Sequence, residues 1–181
     1  MRWANIKKLD IANGSGIRVS LFVSGCNFHC KNCFNKEAQS FDYGRPYTHS
    51  IFNLIRGLVY KPYIAGLSIL GGDAMWQTPE DIDELIKLCD YIHRKEDKDV
   101  WIWTGFTFEE IMQYDKSEAE LSDEELARQK LLFHCDVLVD GRYVDEQRDL
   151  TLKWRGSSNQ RVLNVPESLK QKQAILLEGE N

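Results

Sequence analysis

The chain has 181 residues, one domain's worth, with an ordinary globular composition of 43% hydrophobic and 28% charged residues. A formal net charge of −5 with scattered basic residues excludes a nucleic-acid footprint, and no stretch reaches the length of a membrane span. The N-terminal Met1-Arg2-Trp3-Ala4-Asn5 has no apolar signal core, so the expected compartment is the cytoplasm, where thiols stay reduced.

In chain order, Arg18 to Val23 is rich in β-branched and aromatic residues and reads as a strand that delivers the chain into Gly25-Cys26-Asn27-Phe28-His29-Cys30-Lys31-Asn32-Cys33. Thr48 to Val59 carries Ile51, Leu54, Ile55, Leu58 and Val59 at a helical period. Leu67-Ser68-Ile69-Leu70 is a short strand ending in Gly71-Gly72. Thr78-Pro79-Glu80-Asp81 predicts a capped helix start, and the charges from His93 to Asp99 end that helix. Val100 to Thr104 is the next strand, with a short helix from about Thr107. Asp115 to Glu125 reads as a solvated linker and helix front, with a capping box at Ser122 opening a helix to Leu132. Val137 to Asp140 is a strand of buried type, and Arg161–Asn164 and Ala174–Leu177 are weaker strand candidates. Strands alternating with helices imply βα units and a mainly parallel sheet in a single α/β domain spanning residues 1–181. The cysteine loop, Gly71-Gly72-Asp73, Thr104-Gly105 and Asp140-Gly141 all follow predicted strands, the end at which ligands collect in such folds.

Of the five cysteines, Cys26, Cys30 and Cys33 are clustered, while Cys89 and Cys135 stand far off and read as core. A C-x3-C-x2-C run lets three thiolates on one loop hold three irons of an iron–sulfur cube and leaves the fourth open. Electron-transfer clusters are usually closed by four cysteines, and structural zinc sites also want four ligands. Zinc stays open as a reading if His29 or a distant thiol completes the set. Trp101 and Trp103 share one face of a strand, which aromatic packing explains.

The triplet after a first strand resembles the signature of the radical S-adenosylmethionine (SAM) enzymes. The resemblance implies an incomplete parallel (β/α) barrel and a [4Fe–4S] cluster on Cys26, Cys30 and Cys33, with the open iron chelated by SAM. It also implies reductive cleavage of SAM to methionine and a 5′-deoxyadenosyl radical. The residue before the last cysteine is often aromatic in that superfamily. Here it is Asn32, so contact with adenine falls to the backbone there or to Phe34, flanking Cys33. Gly71-Gly72-Asp73 resembles the motif whose backbone carbonyls bind the SAM amino group, with Ala74 where proline is common. No side chain is assigned as catalytic.

Asp10 to Arg18, Val100 to Gly105, Val137 to Tyr143 and above all Trp154-Arg155-Gly156-Ser157-Ser158-Asn159-Gln160-Arg161 resemble the glycyl-radical-enzyme activases, within them those of the anaerobic ribonucleoside-triphosphate reductases. The partners this implies are the large subunit of such a reductase and flavodoxin or ferredoxin as electron donor. The Trp154–Arg161 segment is expected to shape the site or the reductase contact. The rival readings are activation of another glycyl-radical enzyme such as pyruvate formate-lyase, a small-molecule reaction such as carboxy-deazaguanine synthesis, a non-catalytic iron–sulfur carrier and a zinc-binding interaction module.

Overall fold

The first strand, β1 (Arg2–Asp10), runs antiparallel to β2 (Arg18–Ser24), and the two-residue β3 (Arg45–Pro46) pairs with its outer edge. The computed structural model describes residues 1–95 and 97–179. After α1 (His49–Val59) come β4 (Gly66–Gly71), α2 (Pro79–His93) and β5 (Asp99–Trp103). Next are α3 (Phe108–Met112), α4 (Asp123–Leu132), β6 (Val137–Asp140), β7 (Arg161–Asn164) and α5 (Val165–Gln171). The strands form one mixed sheet in the order β3-β1-β2-β4-β5-β6-β7.

The α/β class is as expected, but the sheet is parallel only at its centre. Strands β2, β4, β5 and β6 are parallel, while β1, β3 and β7 join antiparallel. The four central strands therefore end on one rim, which gathers the cysteine loop, Gly71-Gly72-Asp73, Thr104-Gly105 and Asp140-Gly141. Along these strands alternate residues Val19, Leu21, Val23, Leu67, Ile69, Val100, Ile102 and Leu138 are buried in one large core with residues of α1 to α4. The opposite face carries Phe22, Leu70, Trp101, Trp103 and Val139 toward a cavity and a smaller cluster.

Helix starts follow their predicted chemistry. Thr78 Oγ1 accepts from the Asp81 N–H at 3.3 Å, with proline in the first turn. Thr107 and Ser122 each form a reciprocal capping box with the glutamate three residues on. Helix α2 ends at His93 as expected; of the charged run behind it, Glu96 lies outside the described residues. The Asp115–Glu125 stretch is exposed and holds one short 3-10 turn before α4. Three elements go beyond the expected set, β1, β3 and α5, and Ala174–Leu177 makes only an isolated bridge from Leu176 to Leu163. Among the described residues no helix is long and apolar enough to cross a membrane.

Candidate metal and cofactor site

The cysteine loop starts at Gly25, whose φ of +105° turns the chain off the end of β2. The loop's return is fixed by main chain: Gly25 N–H donates to Ala38 at 2.8 Å and Cys26 N–H to Gln39 at 2.9 Å. Between the first two cysteines Phe28 turns back as an anchor. Its ring meets Trp76 and Phe106 edge-on at 5.4 and 4.8 Å. It also fills the space beside Gly105, where any Cβ would run into the ring. This anchoring is not evident from the sequence, although an aromatic residue among Asn, His and Lys is its signal.

Cys26, Cys30 and Cys33 open on a single cavity of about 480 Å³, with Phe34, Gly71, Gly72, Asp73, Trp103, Tyr143, Trp154 and Gly156 among its other walls. None of the three is in a disulfide. Burial pushes the Cys26 thiol up to about 12, with help from the Asp73 carboxylate and from Cys30 and Cys33. Burial and Cys33 likewise raise Cys30, while the main-chain N–H of Tyr143 and the charge of Arg142 pull it back. Burial and neighbouring negative charge hold the protons on Cys26 and Cys30, and a cation bound by the thiolates would expel them. Among the described residues no three Cys, His, Asp or Glu side chains are placed to share one metal ion. A cube asks for something else, one thiolate on each of three irons, and this loop offers three soft donors. Cys89 and Cys135 are buried in the main core, as expected, and do not line the cavity.

Gly71 (φ +106°) and Gly72 border the cavity where β4 ends against the cysteine loop. Gly72 N–H donates to Val23 and Asp73 N–H to Gly25, both at 2.8 Å. The Asp73 side chain is buried and bonded within the protein: it accepts from the N–H groups of Met75 and Gly105 at 2.8 Å each and from Thr104 Oγ1 at 2.9 Å. Burial still pushes its carboxyl up to about 6, against those donors. Its carbonyl accepts from Gln77 Nε2 at 3.0 Å, so Asp73 braces the rim of β4 and β5. Gln77, buried and also donating to Ser24 O at 3.0 Å, is a brace the sequence does not reveal. The Asn32 side chain is directed away from the cavity, donating to Asp145 Oδ2 at 2.7 Å, whereas Phe34 lies on the cavity wall.

The Asp10–Arg18 segment forms another wall through Ala12 and Asn13. It is held from beneath: Arg18, fully buried, donates from Nε to Ser68 Oγ at 2.7 Å, and Ser68 donates to Asn13 O at 2.6 Å. The Trp154–Arg161 segment folds onto the chain that follows β6. Trp103 Nε1 donates to Trp154 O at 2.7 Å, Gln160 Nε2 to Gly141 O at 2.9 Å and Asn159 Nδ2 to Arg142 O at 2.8 Å. Asn159 thus ties this segment to the main chain that follows β6.

Comparison with known proteins identifies the family. A family model described as a 4Fe-4S single cluster domain matches residues 12–163. The chain is similar to the anaerobic ribonucleoside-triphosphate reductase-activating protein of Vibrio cholerae, 38% identical over 163 residues that cover 88% of this chain and 96% of the relative. Those of Salmonella typhi and Escherichia coli are 34% and 33% identical over 165 residues, 90% of this chain and 97% of theirs in each case. With such identity sustained over almost the full length of its relatives, the chain belongs to the family of anaerobic ribonucleoside-triphosphate reductase-activating proteins.

Proposed function

We propose that this chain is a radical SAM enzyme that activates an anaerobic ribonucleoside-triphosphate reductase by placing a glycyl radical on it. The observation that carries the reading is the single cavity shared by Cys26, Cys30, Cys33, Gly71 and Gly72 at the carboxyl ends of parallel strands, in a chain of this family. Residues 1–181 act as one domain, and the four parallel strands with their helix-free face are the incomplete barrel.

Cys26, Cys30 and Cys33 would hold a [4Fe–4S] cluster and leave one iron for SAM. When bound, cluster and SAM together supply a one-electron cleavage that yields methionine and a 5′-deoxyadenosyl radical able to take hydrogen from a glycine Cα. The chain's own part is placement. Gly71 and Gly72 let main-chain carbonyls approach the SAM amino group, and Asp73 holds their turn against β5. Phe34 offers a ring beside Cys33 for the adenine. The face of the sheet without helices leaves the cavity open to a main-chain segment of a partner, and an α-carbon radical on glycine needs no side chain cleared away. The electron comes from flavodoxin or ferredoxin in the reducing cytoplasm.

Anaerobic reconstitution with iron and sulfide, followed by SAM, reductant and the reductase, tests this by electron paramagnetic resonance. One cluster per chain, 5′-deoxyadenosine and a glycyl doublet on the reductase are expected. Replacing Cys26, Cys30 or Cys33 by alanine should abolish all three, while Cys89→Ala and Cys135→Ala keep the cluster. Stoichiometric zinc with no iron uptake, or a loaded cluster with no SAM cleavage, would overturn the reading.

A further inference from the structure

The turn that follows β6, Arg142 to Glu146, grips the cysteine loop at several points. Asn32, between Cys30 and Cys33, has a left-handed backbone with φ of +54° and donates to Asp145 Oδ2 at 2.7 Å. Asp145 Oδ1 accepts from Tyr143 Oη at 2.9 Å. Alongside, Lys31 Nζ reaches Glu146 Oε1 at 2.8 Å. The Tyr143 ring packs edge-on against Phe34 at 5.3 Å, and the Arg142 guanidinium lies 4.6 Å over Phe28. Phe28, Lys31, Asn32 and Phe34 thus each touch this turn.

The Lys31–Glu146 and Asn32–Asp145 contacts lie at the surface, where an ion pair or hydrogen bond adds little to fold stability. The left-handed backbone at Asn32, by contrast, is a sparsely populated conformation that its surroundings hold in place. What the contacts do determine is the path of the chain between two ligating sulfurs. Partners that orient metal ligands from behind typically change affinity by about 10–100-fold when removed, and N–H donors to cluster sulfurs tune its potential.

We propose that Asp145 is a positioning residue for the cluster: through Asn32 and Tyr143 it holds the Cys30–Cys33 half of the loop in its ligating path. This rests on the reading that the three cysteines carry a [4Fe–4S] cluster. The test compares anaerobically reconstituted parent, Asp145→Ala, Asn32→Ala, the double variant and Asp145→Asn. Three readouts are taken: melting of the iron-free protein, the rate of iron loss to a chelator, and the cluster's midpoint potential.

Iron-free melting should stay at the parent value. Iron loss should be roughly 10-fold faster in either alanine variant, and no faster in the double variant than in the singles. The potential of Asp145→Ala should shift from the parent value as the surroundings of the loop's sulfurs change. Asp145→Asn should recover most of both, because its amide can still meet Asn32 and Tyr143. Parent-like iron loss and potential in Asp145→Ala would overturn the proposal, as would additive singles, or melting that falls in step with iron loss. A parent that takes up no iron would remove the underlying cluster reading and this proposal with it. A parent that loads and cleaves SAM beside an unaffected Asp145→Ala would remove the positioning role alone.

Discussion

At Gly72 the space a side chain would take is already filled by main chain. A Cβ there would stand 2.6 Å from the Ala38 carbonyl oxygen and 2.7 Å from that of Gly25, atoms that cannot rotate aside. The sequence alone suggests that a side chain here blocks SAM. The geometry adds that the cysteine loop itself must move, because Gly72 is where the end of β4 is laid against it. Gly72→Ala should cost about 1–3 kcal/mol in urea unfolding and lower iron uptake and SAM cleavage together. Full iron uptake with cleavage lost would make Gly72 a cofactor contact and nothing more. The cysteines and the two glycines are legible in the sequence, since their chemistry is written in spacing and residue type. The side-chain bonds of Asp73 and Asn32 are not, because they depend on partners far along the chain: Thr104, 31 residues on, and Asp145, 113 residues on. Local pattern carries no trace of such pairings, although Asp73 does line the cavity, as its place after the two glycines suggests.

Among the elements, the legible ones have undisturbed local rules. The four parallel strands are short apolar runs, and α2, α3 and α4 open on capping residues whose side chains make the expected bonds. Strand β1 is hidden because bulges between Trp3 and Asn5 and between Lys7 and Asp10 break its alternation. Helix α5 has the same start signal as α2, a capping Asn164 whose side chain accepts from Glu167 N–H, with proline in the first turn. Its seven residues are too few to show a period. How elements are joined is clearest at Arg161, which opens β7. Its Nε and Nη2 bond the fully buried Asp140 carboxylate at 3.0 and 2.5 Å, and its outer edge bonds Glu109 on α3 at 2.7 and 3.1 Å. The same carboxylate accepts from the Phe108 N–H at 2.8 Å, so one charge cluster ties β6, β7 and α3 behind the cavity rim. Arg161→Met leaves Asp140 buried without its cation. It should destabilise the chain toward the lower end of about 3–5 kcal/mol, since the arginine is partly in water. Urea unfolding reads this, and Arg161→Lys should recover only part because it cannot reproduce the fork. An unchanged midpoint would mean that water replaces the guanidinium.

On the scale of the whole molecule, the fold is lopsided: the main core of α1 to α4 backs one face of the sheet, and among the described residues mostly loops approach the cavity on the other. Two large apolar side chains on those loops border the cavity while mostly exposed, Phe34 at 59% and Leu150 at 75%. Phe34 has company from Tyr143 and Arg148 within the chain. Leu150 is therefore the cleaner probe of what approaches from outside. If the reductase covers the open side, Leu150 is buried only in the complex, and a charge there would be desolvated as the partner docks. Leu150→Asp should leave melting, iron content and partner-free SAM cleavage at parent values. It should weaken apparent affinity for the reductase by about 10-fold, equivalent to about 1.4 kcal/mol. The measurement is glycyl-radical spin as the reductase concentration is raised, set against 5′-deoxyadenosine formed without it. Radical yield that falls while partner-free cleavage holds assigns this side to the macromolecule. Equal loss of both would put Leu150 on the SAM site. No loss of either would move the reductase contact away from the Asp149–Leu152 loop, to the wall made by Ala12 and Asn13.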